Sequence, residues 1–117
     1  MHELIEKIKK HPDFHKAGMI LCHNGIVRKT SRDGKTITSL IVFVDHEKLN
    51  QIIENNKKQK GIIDIQVKIF ENQKLHVGDD LMYLTVAGDF RENVIKALTD
   101  TLNEIKKIAT KKTEFYY

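Results

Sequence analysis

The stretch Leu81–Glu92, LMYLTVAGDFRE, decides the fold, because its pattern predicts the end of a strand and the beginning of the last helix. The segment Leu81–Ala87 combines apolar residues with tyrosine, threonine and valine, which is typical of a strand. Asp89, followed three residues later by Glu92, is typical of a helix N-cap with its reciprocal glutamate. We therefore predict a strand at residues 81–87 and a long C-terminal helix over residues 90–109.

Arg91 falls in the first turn of this predicted helix, which is an unusual place for a cation. The N-terminal end of a helix carries partial positive charge, so an arginine there is mildly unfavourable. At about 100° per residue, Arg91 also falls in the arc of the apolar side chains, which are Val94, Leu98, Leu102 and Ile105. Binding an anion would explain a cation that is placed against both the dipole and the apolar face.

The rest of the chain alternates helices and strands without repeats or low-complexity stretches. Further helices are predicted over residues 2–10 and 46–58, the second capped by Asp45. Further strands are predicted over residues 17–22, 36–44, 63–69 and 75–77. An Asp-Gly turn in Ser31–Lys35 predicts a hairpin between the strands that flank it. This order of elements favours one α+β domain over residues 1–117, a sandwich with a largely antiparallel sheet.

The composition limits the class of protein and its partners. The chain has 117 residues and a net charge of +4, and no apolar run approaches the roughly 20 residues that span a bilayer. Cys22 is the only cysteine, which fits a reducing cytoplasm, and we expect its thiol to be buried as a small hydrophobe. The positive charge would suit a phosphorylated small molecule, an acidic protein or nucleic acid. Nucleic acid fits least well, because no aromatic residues are interleaved with the lysines.

Three cations on separate elements are the best candidates for a site. They are Arg28 after the first strand, Arg91, and Lys106 at the border of the apolar arc of the last helix. Each has a structural explanation when taken alone, since Arg28 could be a surface residue and Lys106 is favoured near a helix C-terminus. Together they could clamp an oxyanion or a phosphate. The six histidines show no metal-ligand spacing, and no Walker or dinucleotide fingerprint is present.

Four motifs, in a fixed order along the chain, carry a resemblance to a known family. They are Gly18–Arg28 (GMILCHNGIVR), Leu75–Asp79 (LHVGD), the pair Phe90-Arg91, and Lys106 near the end of the last helix. In this order they resemble the large, catalytic subunit of molybdopterin synthase, whose opening motif is a strand that begins with glycine and leads to a Gly-x-Val-Arg turn. The resemblance covers roughly residues 15–115 and implies a hammerhead-like α/β two-layer arrangement.

The resemblance implies a role in molybdenum cofactor biosynthesis. Members of this family convert a cyclic pyranopterin monophosphate to the dithiolene-bearing molybdopterin. The sulfur arrives as a thiocarboxylate on the C-terminal Gly-Gly tail of a small ubiquitin-like subunit. By this likeness Arg28, Arg91 and Lys111 would bind the substrate, while Lys106 and Lys112 would be catalytic. The likeness also implies a cytoplasmic homodimer that holds no metal and no resident cofactor.

The chain also departs from the family pattern. Phe90 stands where the family has the histidine of a His-Arg pair. An ungapped match puts Thr113 in the place of the family's second catalytic lysine. Lys112 would fill that place only if the tail is shifted by one residue in the match. Two functions therefore remain open, namely sulfur transfer and a catalytically reduced relative that binds a ubiquitin-like tail or a phosphorylated pterin without turnover. A basic binding module unrelated to pterins is a third option.

Overall fold

The computed structural model describes residues 1–117, which form three α-helices and six strands. The helices are α1 (His2–Lys9), α2 (His46–Lys57) and α3 (Arg91–Glu104). The strands are β1 (Met19–Ile26), β2 (Ile37–Val44), β3 (Ile62–Ile69), β4 (Leu75–His76), β5 (Asp80–Gly88) and β6 (Thr110–Tyr116). A 3₁₀ turn covers Phe14–Lys16, and a π-helical turn, Ile105–Ala109, follows α3 directly. No helix is both long enough and apolar enough to cross a bilayer.

The strands form two antiparallel sheets, which we define as sheet 1 and sheet 2. Sheet 1 has the order β1-β5-β3, and sheet 2 has the order β4-β2-β6. In sheet 1, His23 of β1 lies opposite Leu84 of β5. In sheet 2, Val42 of β2 lies opposite Lys112 of β6. The predicted α+β class and the antiparallel pairing are confirmed, with two sheets in place of the single one expected.

The main core lies between sheet 1 and the helices α2 and α3. Leu84 and Val86 of β5 are buried in it against Val94 and Ala97 of α3. Because side chains alternate along a strand, Thr85 points to the opposite face of sheet 1, where it is also buried. Helix α1 contacts β3 and β5 and covers this second face. Sheet 1 is therefore covered on both sides along its centre.

A smaller core joins the segment after β1 to sheet 2. It consists of Val27, Leu40, Val42 and Leu75, all of them buried. Burial of apolar side chains of this size stabilises the folded state by about 1.5–3 kcal/mol each. The small core therefore fixes the end of β1 against the second sheet, next to the candidate cation Arg28.

The predicted hairpin around Ser31–Lys35 is wrong in its pairing, although its turn is present. The backbone N–H of Ser31 donates to the carbonyl of Lys35 at 2.8 Å, and Gly34 has a φ of 87°. Only one isolated bridge, between Thr30 and Thr36, continues the turn. β1 pairs with β5, whereas β2 pairs with β4 and β6. The two strands part because each packs its apolar face into a different core.

The predicted start of the last helix is also corrected. α3 begins at Arg91, and its N-cap residue, Phe90, makes no capping hydrogen bond through its side chain. The Asp89 carboxylate instead accepts from the backbone N–H of Phe90 at 2.6 Å and from Asn93 Nδ2 at 2.9 Å, while Glu92 lies 3.9 Å from Arg91. The Arg91 side chain is 78% exposed, not directed into the apolar side. Val94 of the same turn is buried in the main core, whereas Arg91, at the very start of the helix, extends beyond the core into solvent.

Two strands and the cysteine differ from the prediction as well. β1 extends to Ile26, four residues beyond the predicted end, and β6 was not predicted at all. Cys22 is exposed rather than buried. Because β1 is an edge strand and its side chains alternate, Leu21 packs against the main core and Cys22 points outward. Partial burial still raises the pKa of the Cys22 thiol.

Candidate anion-binding site

Four cations from three segments line one open cleft of about 770 Å³, which we call the cationic cleft. They are Arg28 and Arg32 from the segment after β1, Lys106 from the π-helical turn, and Lys112 from β6. One carboxylate, that of Glu114 in β6, lies among them. Positive charge concentrated in a cleft attracts anions and raises their local concentration. The arrangement therefore favours an anionic ligand.

Arg28 is positioned by the buried residue that precedes it. Val27 is 2% exposed, and its backbone N–H donates to the carbonyl of Asp79 at 2.9 Å. The carbonyl of Val27 accepts from the N–H of Gly78, also at 2.9 Å. Gly78 has a φ of 93°, a conformation that favours glycine. The turn in Leu75–Asp79 thus supports the segment that carries Arg28, which brings two motifs of the sequence into contact.

Arg32 lies on the tight turn between β1 and β2. In this turn the Ser31 hydroxyl donates to the Asp33 carboxylate, and the N–H of Lys35 donates to Ser31 Oγ at 3.1 Å. Lys35 Nζ also lies 3.7 Å from Asp33 Oδ2. The hydrogen bond from Ser31 is the main reason why the pKa of Asp33 lies below its ordinary value. The partners of Asp33 are therefore its neighbours in the turn, while Arg32 takes part in no ion pair.

The π-helical turn carries Lys106 beside two buried residues. Ile105 is 0% exposed and Ala109 is 2% exposed. Thr110 Oγ1 donates to the carbonyl of Ile105 at 3.2 Å, and the N–H of Asp45 donates to the carbonyl of Ala109 at 2.8 Å. Both ends of the turn are therefore anchored. Such single π-turns are rare and occur frequently at functional sites.

Strand alternation separates the two neighbouring lysines of β6. Lys112 lies opposite the buried Val42, whereas Lys111 lies opposite the exposed Phe43. Successive side chains of a strand point to opposite faces, so Lys112 faces the cleft and Lys111 faces away from it. Glu114 shares the face of Lys112, and its Oε2 lies 3.8 Å from Lys112 Nζ.

The clustered charges change the proton affinity of Lys106. Partial burial lowers the pKa of its ammonium group, and the charges of Arg32, Lys112 and Arg28 lower it further. An ammonium group with a lowered pKa gives up its proton more readily, which favours a role in proton transfer. Lys106 is therefore well suited to proton transfer in the cleft.

His23 is a further titratable residue in the wall of the cleft. Its Nε2 atom is buried without a hydrogen-bond partner. Burial lowers the pKa of the imidazole, and the charge of Lys106 lowers it further, so both effects favour the neutral form of the ring. A Cβ atom at Gly25 would lie 3.4 Å from Nε2. Glycine at this position therefore leaves room beside the ring.

A second space of about 380 Å³, which we call the apolar chamber, adjoins the cleft. Arg32, Lys106 and Lys112 line both spaces. The apolar residues of the chamber are Val42, Ile69, Leu81, Met82 and Ile105. A ligand could therefore place an anionic group on the shared cations and a flat apolar group in the chamber. No cluster of three His, Cys, Asp or Glu residues that could hold a metal ion is present.

The cleft brings together Arg28, Lys106 and Lys112 of the five residues that the sequence indicated. Arg91 and Lys111 are exposed and do not line it. The sequence reasoning missed Arg32 and His23, which do. His23 could have been found, because it lies two residues after Leu21 on the same face of a strand. For Arg32 the local signal was the Asp-Gly turn, which does not reveal what the turn packs against.

The fold and the cleft together define an α+β domain with a cationic cleft where two antiparallel sheets meet. A family model described as MoaE protein matches residues 1–108, and the chain therefore belongs to this family.

Solved structures share this fold at low sequence identity. The chain is 21% identical to molybdopterin synthase from Staphylococcus aureus, with a TM-score of 0.74, and the match covers 87% of this chain and 77% of that one. For molybdopterin cofactor biosynthesis protein E from Burkholderia multivorans the identity is 17%, the TM-score 0.77, and the coverage 99% and 80%. For the complex of subunits 1 and 2 of molybdopterin-converting factor from Helicobacter pylori, the identity is 16% and the TM-score 0.72, and the match covers 99% of this chain and 78% of that one. No curated protein matches the chain by sequence.

Proposed function

We propose that the protein is the large subunit of molybdopterin synthase and acts in molybdenum cofactor biosynthesis. It would transfer sulfur from a thiocarboxylated small subunit to cyclic pyranopterin monophosphate. The observation that carries this proposal is the cationic cleft, where Arg28, Lys106 and Lys112 meet although they come from three separate segments. Membership of the MoaE family supports the same assignment.

In this proposal the two adjoining spaces bind different parts of the substrate. The phosphate lies in the cleft at Arg28, whose guanidinium group makes charge-assisted hydrogen bonds with phosphate oxygens. The pterin ring lies in the apolar chamber, since ligand sites combine apolar walls with a few polar groups that fix orientation. The carbon atoms that receive sulfur then lie near the cations that both spaces share.

Lys106 acts as a general acid and Lys112 as a fixed positive charge. The thiocarboxylate sulfur forms a bond to a substrate carbon, and the bond from that carbon to the displaced group breaks, which leaves negative charge on this group. Transfer of the Lys106 proton to that group neutralises the charge, and the lowered pKa of Lys106 makes the transfer easier. The ammonium group of Lys112 stabilises the developing charge without moving a proton.

The product of this step is a thioester with the C-terminal glycine of the carrier. Water then hydrolyses the thioester, so that the sulfur stays on the substrate and the carrier leaves as a carboxylate. A second carrier supplies the second sulfur in the same way.

The proposed sulfur donor is a small ubiquitin-like subunit that ends in Gly-Gly. One structural neighbour is a complex of two subunits of molybdopterin-converting factor, which supports a partner of this kind. We also propose a homodimer, for which the exposed Phe115, Tyr116 and Tyr117 at the end of β6 offer a surface. A lone cysteine fits a location in the reducing cytoplasm.

Arg91 and Lys111 stay in the proposal as weaker substrate-binding residues. Both are exposed in the single chain, outside the cleft. They would reach the substrate only where a second chain, or the sulfur carrier, covers the surface that they occupy.

The second candidate function is binding without turnover. Phe90 is 68% exposed and stands where the resembled family has a histidine. A phenyl ring cannot carry a proton, so a step that needs this histidine would be lost. Such a protein would still hold a phosphorylated pterin, or the tail of the carrier, in the cleft.

A single-turnover assay separates the two functions. Purified protein is mixed with cyclic pyranopterin monophosphate and a thiocarboxylated small subunit, and the dithiolene product is measured. Product formation supports sulfur transfer, whereas binding of the small subunit without product supports the alternative. Lys106→Met and Lys107→Met provide a matched pair, because each removes one ammonium group and only Lys106 lines the cleft. An equal loss of product in both variants would contradict catalysis in this cleft.

A further inference from the structure

Arg32 is a guanidinium group without a counter-ion, in a cleft that already holds three other cations. No carboxylate lies within ion-pair distance of it, and Glu114, the one acid in the cleft, pairs with Lys112 at 3.8 Å. Like charges in one cleft repel one another and raise the free energy of the folded protein. Arg32 therefore adds an unfavourable charge that a bound anion would offset.

The turn that carries Arg32 keeps its nearest acid occupied. Asp33 accepts from the Ser31 hydroxyl and pairs with Lys35, so the carboxylate next to Arg32 in sequence is already engaged. The turn is also fixed to the chain on either side by the bridge between Thr30 and Thr36. The guanidinium group is thus held at the cleft on an anchored turn and remains free to bind.

Arg32 is placed where a ligand would span the two spaces. It lines both the cationic cleft and the apolar chamber, whereas Arg28 lines the cleft alone. Among the charged neighbours of Lys106, Arg32 has the largest effect on its pKa, ahead of Lys112 and Arg28. Arg32 therefore lines both spaces together with the proposed acid and is the cation that most affects it.

We propose that Arg32 is a further substrate-binding residue, which forms with Arg28 a two-guanidinium clamp for a phosphoryl group at the entrance to the apolar chamber. Arginine suits this role because its planar fork donates two parallel hydrogen bonds to phosphate oxygens. The inference rests on the proposed function for the identity of the phosphate ester, and on the geometry alone for the presence of the anion site.

The clamp would also link substrate binding to the acid. The pKa of Lys106 is lowered by burial and by Arg32, Lys112 and Arg28, while Glu114 is the one acid that lines the cleft and the pKa of His23 is itself lowered. A phosphate bound at Arg32 offsets part of the positive charge. The pKa of Lys106 therefore rises when the clamp is filled, but it stays below its ordinary value because burial, the largest cause of the lowering, remains.

The test is a titration with inorganic phosphate, followed by calorimetry, of the wild type, Arg32→Gln and Lys29→Gln. Each variant removes one positive charge from the same segment, but Lys29 does not line the cleft. We expect Arg32→Gln to weaken phosphate binding about 10- to 100-fold, the range given by losing one charge-assisted hydrogen bond. Lys29→Gln should change it less than about twofold, as a screened surface charge does. An equal change in both variants would overturn the proposal.

A second variant and a second measurement distinguish loss of the guanidinium group from a general disturbance of the turn. Arg32→Lys keeps the charge but not the fork, so its phosphate affinity should lie between those of the wild type and Arg32→Gln. The pKa of the Lys106 ammonium, followed by nitrogen NMR, should be higher in Arg32→Gln than in the wild type, because a positive neighbour is gone. An unchanged pKa would show that Arg32 does not act on Lys106.

The two proposals can fail separately. Loss of phosphate binding in Arg32→Gln, together with no dithiolene product from the wild type, would keep the clamp and remove sulfur transfer. Wild-type turnover, together with undiminished phosphate binding in Arg32→Gln, would keep the enzyme and remove the clamp.

Discussion

At the scale of single residues, the surroundings of a cation rather than its type decide what it can do. Arg28 shares its cleft with three other cations, whereas Arg91 is 78% exposed and forms its one ion pair with the adjacent Glu92. A fixed cluster attracts an anion more strongly than an isolated exposed charge does. Both arginines were indicated by the sequence, and the structure gives them unequal surroundings.

Arg28→Ala is expected to weaken phosphate binding by about 1.5–3 kcal/mol, because one charge-assisted hydrogen bond is lost. Arg91→Ala should cost less than about 0.5 kcal/mol in the isolated chain, as surface substitutions usually do. Calorimetric titration with inorganic phosphate measures both. Equal losses would mean that Arg91 reaches the bound anion after all.

Lys106→Met should abolish product formation while raising the melting temperature at pH 7. In the folded protein the pKa of Lys106 lies below its ordinary value of 10.5, so the unfolded chain holds this proton more tightly. By linkage the charged lysine destabilises the fold at neutral pH, and this penalty disappears as pH rises towards 10.5. The difference in melting temperature between variant and wild type should therefore shrink at alkaline pH.

The control for this prediction is Lys107→Met, which lies outside the cleft and should not raise the melting temperature. A lower melting temperature in Lys106→Met would instead show that the lysine mainly supports the helix end.

The residue scale also shows what sequence alone can reach. Lys106 and Lys112 could be predicted because a resemblance fixes their order along the chain. A helical wheel gave the direction of Arg91 but not whether a core lies opposite it. The place of Arg32 in the cleft could not be predicted from the sequence, because the direction of a turn residue depends on what the turn packs against.

At the scale of elements, β6 decides which lysine of a pair enters the site. Lys112→Ala should weaken phosphate binding by about 1.5–3 kcal/mol, because its ammonium group faces the cleft. Lys111→Ala should have the smaller effect, since Lys111 lies on the other face of sheet 2. Calorimetric titration of both variants with inorganic phosphate measures the two affinities. A larger loss of affinity in Lys111→Ala than in Lys112→Ala would mean that Lys111, not Lys112, faces the cleft.

The elements that were predicted well are those with local signals. Asp45 caps α2 as expected, with its carboxylate accepting from the N–H of Lys48 at 3.1 Å. β6 escaped prediction because its sequence, TKKTEFY, is mostly polar and its partner β2 is distant in the chain. The hairpin was wrong for the same reason, since a local turn signal does not say which sheet each strand joins.

At the scale of the whole molecule, the elongated shape places the site at a junction. The protein measures 48 by 24 by 23 Å, and the cleft draws its residues from both sheets and from the helix end between them. Strand β6 contributes Lys112 and Glu114 to the cleft, and its exposed aromatic end follows directly after Glu114. The proposed dimer surface and the proposed binding site therefore share one strand.

Removal of Phe115, Tyr116 and Tyr117 should convert the proposed homodimer to a monomer, because exposed aromatic side chains dominate the free energy of many interfaces. Mass measurement by light scattering checks this result. Phosphate affinity serves as the control, since Lys112 and Glu114 remain in the shortened chain. An unchanged mass would assign these aromatic residues to another role, such as contact with the carrier tail.

Cys22 and His23 are adjacent on β1, but their side chains lie on opposite faces of the strand. The only thiol of the chain is thus exposed one residue away from the wall of the cleft. A fluorophore coupled to Cys22 would sit outside the site and still respond to movement of β1, without any engineered cysteine. Because the pKa of the thiol is raised, coupling should proceed faster in alkaline buffer. The chain therefore carries its own attachment point for an optical probe beside the cleft.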